Sequence, residues 1–88
     1  MHIEVKRPDE QEIEDLGVLG WPIWECRPST FDWHYDQKEI CYVLAGKVTV
    51  SYEGGEVSIE KGDLVTFPKG LDCVWNVSEA VRKRYKFD

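Results

Sequence analysis

Five side chains with chemical potential fall between Trp33 and Cys41: Trp33, His34, Tyr35, Glu39 and Cys41. Cys73 and Trp75 repeat part of the combination further along. A carboxylate among apolar residues can work as a general acid or base when burial raises its pKa, or it can anchor a cation. A cysteine can act as a thiolate nucleophile or ligand if a nearby base activates it. A phenol can orient a ligand or donate a proton to it. Indole rings can stack on a planar molecule or simply fill a core.

Which of these side chains meet depends on the strands that carry them. Residues 31–35, FDWHY, alternate: Phe31, Trp33 and Tyr35 share one face, and Asp32 and His34 share the other. A one-residue slip would flip every side chain. It would expose three aromatics, each worth ~1.5–3 kcal/mol when fully buried. The aromatic face is therefore read as inward, with His34 towards solvent. Glu39 and Cys41, two apart on the next strand, share the inner face, and Cys73 and Trp75 are expected opposite them. The expected pocket is Trp33, Tyr35, Glu39, Cys41, Cys73 and Trp75. No histidine is predicted beside Cys73 on its face, so both Cys41 and Cys73 also read as small buried hydrophobes. If Glu39 has no pocket role, a hydrogen bond to Tyr35 or to backbone must satisfy it.

The remaining elements follow from punctuation and period. Residues 2–6 alternate as a short edge strand or arm. Pro8 stands at a plausible first helical position, followed by Asp9, Glu10, Glu12 and Glu14, with Ile13 and Leu16 on one face and Gly17 as the stop. The tryptophans Trp21 and Trp24 flank Pro22 and are expected to cover one end of the core. Beyond Phe31 the pattern is all β. Strands are predicted over 39–44, 47–52, 56–60, 64–67, 73–77 and 81–87. They are separated by a bend at Ala45-Gly46 and turns at Glu53-Gly54-Gly55, Lys61-Gly62-Asp63 and Pro68-Lys69-Gly70. Arg82, Lys83, Arg84 and Lys86 read as a solvated strand face. Many short strands closed by Gly or Pro indicate a sandwich or small barrel.

Composition narrows the function classes. The 88 residues make one domain, with an arm and helix over about 1–20 and a barrel over about 21–88. A net charge of −6 argues against a nucleic-acid partner. The three cysteines, Cys26, Cys41 and Cys73, are too few and too widely spaced for a disulfide framework. With no signal-like or membrane-length apolar run, the expected setting is the cytoplasm, with no membrane partner.

The spacing of turn residues resembles the cupin superfamily. Glu39, six residues and then Gly46 look like the end of the first cupin motif. Gly62, five residues and then Pro68-Lys69-Gly70 look like the second. FDWHYDQKEICYVLAG, GDLVTFPKG, Trp75 and the closing VRKRY are similar to a branch of small single-domain cupins of mostly unassigned function, related to the cupin domain of ureidoglycine aminohydrolases. The resemblance implies an all-β, single jelly-roll barrel with one short N-terminal helix and a pocket at one mouth, and a homodimer. In metal-binding cupins the pocket offers a His-x-His pair, a Glu and a further His, which suit Mn, Fe, Ni or Zn. Here Trp33 and Tyr35 stand at the paired positions and Cys73 at the last, so only Glu39 remains. No metal or other cofactor is expected. If one binds, Glu39 with Cys73 would hold it, or, in the slipped register, Asp32 and His34 would join them.

Three functions are consistent with this reading. The first is a small-molecule-binding barrel with an aromatic pocket and a degenerate metal site. The second is a metal-dependent enzyme acting on a small nitrogenous metabolite, as ureidoglycine aminohydrolases do. The third is a non-catalytic dimerising domain with structural or regulatory work.

Overall fold

Residues 1–88 are described by a computed structural model. In chain order the elements are β1 (Glu4–Lys6), α1 (Glu10–Leu16), a 3-10 turn (Val18–Gly20), β2 (Ile23–Cys26), β3 (Ser29–His34), β4 (Glu39–Tyr52), β5 (Gly55–Glu60), β6 (Leu64–Phe67) and β7 (Asp72–Phe87). All strand pairs are antiparallel. The strand order is β1-β6-β4-β7-β2, with β3 on β7 and β5 on β4. This is a jelly-roll barrel built around two long, bent strands.

The two long strands correct the sequence reading. The predicted strands 39–44 and 47–52 are one strand, and so are 73–77 and 81–87. Ala45-Gly46 is a bulge within β4, not a bend that ends it: the β4–β7 register shifts between Val43 and Val48. Before the bulge Cys41 and Val43 are buried; after it Val48 and Val50 are. The inward positions therefore change from odd to even numbers on β4, whereas β7 stays odd from Cys73 to Lys83. An inserted residue does this because side chains alternate with a period of two. Gly46 is required there. Its φ is +97°, and an added Cβ would lie 2.3 Å from the Ala80 carbonyl oxygen.

Helix α1 is capped by Asp9, whose carboxylate accepts from the Glu12 amide at 2.9 Å. Pro8 thus precedes the cap instead of opening the helix. Gly17 closes the helix in the left-handed region, φ 71°. Ile13 packs on a small cluster of Val18, Trp21 and Leu64 outside the main core, while Leu16 is largely exposed. The two tryptophans expected together are divided. Trp21 belongs to this outer cluster, and Trp24 packs against the main core. The main core includes Ile3, Val43, Val48, Val50, Ile59, Val65, Phe67 and Trp75.

The turn after β5 is fixed by Asp63, buried, whose carboxylate accepts from the Glu60 amide at 2.8 Å and pairs with Arg7 at 3.3 Å. A second tie matters more for the site. The Tyr35 amide donates to the Leu71 carbonyl at 2.9 Å, and the Gly70 amide donates to the Tyr35 carbonyl at 2.7 Å. The turn before β7 thereby locks Tyr35 over the barrel mouth.

Candidate functional site

The barrel mouth holds a cavity of about 220 Å³. Trp24 from β2, Phe31 and Trp33 from β3, Tyr35 beyond it, and Trp75, Tyr85 and Phe87 from β7 form its walls. The two remaining lining side chains are Glu39, first residue of β4, and Lys83 of β7. The aromatic walls brace one another. Phe31 stacks on Trp75 with ring centres 6.1 Å apart, and Trp24 meets Trp75 edge-on at 5.9 Å. Tyr35 stacks on Phe67 at 4.7 Å. Trp33 and Phe87 are each about half exposed (50% and 49%) and form the outer lip.

Glu39 and Lys83 carry the polarity. Lys83 Nζ donates to Glu39 Oε2 at 2.8 Å, and each side chain is only 6% exposed. Two buried charges lose much hydration, and their attraction repays this only when the geometry is good and other groups assist. The assistance comes from π-faces: Nζ lies 4.7 Å from the ring centre of Trp75 and 5.1 Å from that of Trp24. Phe67 and Tyr85 stand at 6.0 Å. The ammonium is thus held in an aromatic cage with one carboxylate. Burial raises the Tyr35 phenol well above its ordinary 10.0, and the Glu39 carboxylate adds to the effect. Tyr35 is therefore a neutral hydroxyl on the cavity wall. Trp75 Nε1 is buried close to the Tyr35 hydroxyl and the Cys73 thiol, with no hydrogen bond of good geometry to either.

The structure brings together four of the six residues expected in the pocket: Trp33, Tyr35, Glu39 and Trp75. Cys41 and Cys73 lie outside it. Cys41 is two residues deeper on β4, fully buried in the apolar core, and burial pushes its thiol up to about 12. Cys73 pairs with Trp33 in the β3–β7 ladder, and its thiol turns to the Trp33 carbonyl at 3.7 Å. It borders a separate shallow cleft with Asp32, His34 and Asp72. Burial raises that thiol to about 11, with the Asp72 charge contributing less. Asp32 and His34 lie on the outer side of β3, where His34 Nδ1 meets Asp72 Oδ1 at 2.7 Å.

Lys83 is the residue that sequence reasoning placed wrongly. It stands in a basic run read as solvated, and of that run only Arg82 is exposed, pairing with Glu25 at the surface. Arg84 and Lys86 leave the barrel on its outer side but are half-buried there: Arg84 donates to the Leu19 and Trp21 carbonyls at 3.0 and 2.9 Å, and Lys86 lies over the Trp21 ring. Val81, Lys83, Tyr85 and Phe87 alternate with these three basic residues, so Lys83 shares the inward parity. The period-two signal was present, but the charge masked it. Glu39 is correspondingly satisfied by Lys83, not by Tyr35 or backbone.

The cupin fold raises the question of a transition metal, and this donor set does not fit one. No group of three His, Cys, Asp or Glu side chains converges anywhere in the chain. The one carboxylate at the mouth is already paired with an ammonium, whose charge would repel a dication. Trp33 and Tyr35 occupy the places that imidazoles would need.

Residues 13–85 match the family model described as the EutQ-like cupin domain. The chain belongs to that family. This EutQ-like cupin domain is 51% identical to a DUF861 family protein from Thermotoga maritima. That protein's crystal structure aligns with a TM-score of 0.96 over 99% of this chain and 100% of that one. It is 33% identical over 73 residues to acetate kinase EutQ of Clostridioides difficile (strain 630), which covers 83% of this chain. The chain spans 46% of that curated relative's length. The structure of the Clostridium difficile EutQ protein aligns with a TM-score of 0.66 over 72% of this chain and 50% of its own. These relatives establish the cupin superfamily and the jelly roll. No helix of the chain is long and apolar enough to cross a membrane.

Proposed function

We propose that this domain binds a small planar molecule in the mouth of the barrel, without a metal. One observation carries the reading: an aromatic-walled cavity with a buried, caged Glu39–Lys83 pair as its polar floor. Apolar pockets with a few convergent polar groups are the usual form of small-molecule sites. The paired charge also takes the place of metal chemistry, which removes the main support for the aminohydrolase-like alternative. The kinase activity in the clostridial relative's name is not carried over. The chain spans less than half of that protein, and a cavity of about 220 Å³ is below the ~300–1,000 Å³ of drug-sized sites.

The test is a fragment titration followed through the indole ¹H–¹⁵N signals of Trp33 and Trp75. Saturable shifts of both, with outer-cluster Trp21 unmoved, support the proposal. Stoichiometric transition metal in the purified protein, released only slowly by chelators, would contradict it.

A further inference from the structure

The hydrogen-bonding capacity left over at the floor of the cavity points to a ligand class; this inference rests on the binding role proposed above. An ammonium has three N–H donors. Lys83 spends one on Glu39 Oε2, and its other close neighbours are ring faces. The pairing uses Oε2 of Glu39, so Oε1 is left to accept. Donor and acceptor capacity therefore stand side by side on the same floor.

Charge decides what can use them. Glu39 and Lys83 sum to zero, and seven aromatic side chains supply the rest of the lining. A charged ligand would bring an uncompensated charge into this low-dielectric site, and that is costly. A neutral ligand escapes the cost. It must accept from Lys83 and donate to Glu39, or it covers one of them without giving it a partner. Size and shape narrow the class further. An apolar cavity of ~150 Å³ is enough to take up benzene, so about 220 Å³ suits a single ring. The half-exposed rings of Trp33 and Phe87 at the lip favour a flat one.

We infer that the ligand is a neutral, planar, single-ring molecule carrying a hydrogen-bond acceptor beside a donor, as a cyclic amide does, held against the Lys83–Glu39 pair and covered by Trp33 and Phe87.

Four rings of similar size test this on the full chain at pH 7: 2-pyridone (neutral, acceptor beside donor), benzoate (anion), benzylammonium (cation) and toluene (apolar). Affinities are read from the Trp33 and Trp75 indole signals. The expected result is that 2-pyridone binds at least about tenfold more tightly than each of the others. In the variant Glu39→Leu/Lys83→Met its advantage over toluene should disappear. If benzoate, benzylammonium or toluene matches 2-pyridone in the unaltered protein, the class inference is wrong and the binding role stands. If 2-pyridone keeps its advantage in the double variant, the assignment to Lys83 and Glu39 is wrong. If no ring moves either indole, the binding role itself fails and the inference falls with it. The ranking in the unaltered protein decides the matter even where the double variant does not fold.

Discussion

Lys83 Nζ and Glu39 Oε2 lie 2.8 Å apart, both buried, at the mouth of a barrel where the fold family commonly holds a metal. The ammonium supplies the positive charge that the carboxylate needs, and the aromatic cage supplies what water would have supplied to the ammonium. Breaking such a pair from one side strands the other charge, which typically costs ~3–5 kcal/mol. Lys83→Met alone is therefore expected to lower stability by about that amount in urea denaturation. The double variant Glu39→Leu/Lys83→Met should recover most of the loss, because both desolvation costs vanish together. A single variant with stability unchanged would show that the pair is solvated.

The lip and the floor of the cavity should separate binding from stability. Trp33 and Phe87 are half exposed, so Trp33→Ala and Phe87→Ala should each change stability by less than ~1 kcal/mol. Each should weaken binding of a planar fragment about fivefold or more, because these residues cover the bound face. Trp75 is 3% exposed and braces three other rings. Trp75→Ala should cost ~3–5 kcal/mol. Thermal melts alongside fragment titrations distinguish the two behaviours.

Alkaline pH should destabilise the fold through its buried thiols. Cys41 has a folded pKa raised from the ordinary 9.0 to about 12 by burial. The unfolded chain loses this proton first, so the contribution is fully present below pH ~9 and is lost as pH rises to ~12. At ~1.4 kcal/mol per tenfold change in proton affinity, Cys41 alone contributes on the order of 4 kcal/mol. Denaturation at pH 7, 9 and 10.5 should show falling stability above pH 9, and Cys41→Val should flatten the fall.

Thiol labelling at pH 8 follows from the same burial. Cys26 is only partly buried, whereas Cys41 is fully enclosed and Cys73 is raised to about 11. Iodoacetamide should modify Cys26 first, with Cys41 and Cys73 reacting only on unfolding. Peptide mass mapping over time would check the order.

Gly46→Ala is expected to destabilise by at least ~2 kcal/mol, since it combines positive φ with a Cβ contact at 2.3 Å to the Ala80 carbonyl. Gly20 is the control. Nothing lies within 4 Å of its Cβ position, so Gly20→Ala should be close to neutral or slightly stabilising. Melting temperatures of the two variants give the comparison.

The sequence by itself determined the barrel, because each turn carries its own residue chemistry and each strand its own alternation. The two-residue Glu53-Gly54 hairpin, the Gly17 helix stop and the inward Trp33-Tyr35 face are local consequences of side-chain geometry. It also made Glu39 a carboxylate among aromatics that had to be satisfied somehow. Only the tertiary structure decided by whom. Lys83 is 44 residues away, and no local rule relates the two positions. The pairing depends on the β4–β7 register, which sets Glu39–Val43 opposite Lys83–Phe87 without a break and shifts only beyond Val43, at the bulge. A period of two reports the face of each residue within a strand. It carries no information about where a bulge will move that face or which strand will lie opposite. The same holds for Cys41, whose parity is inward but whose depth along the barrel places its thiol beyond the cavity, and for Cys73, whose thiol turns to the Trp33 carbonyl. Depth is set by the tilt and length of β4 and β7, and those emerge only when the whole sheet closes.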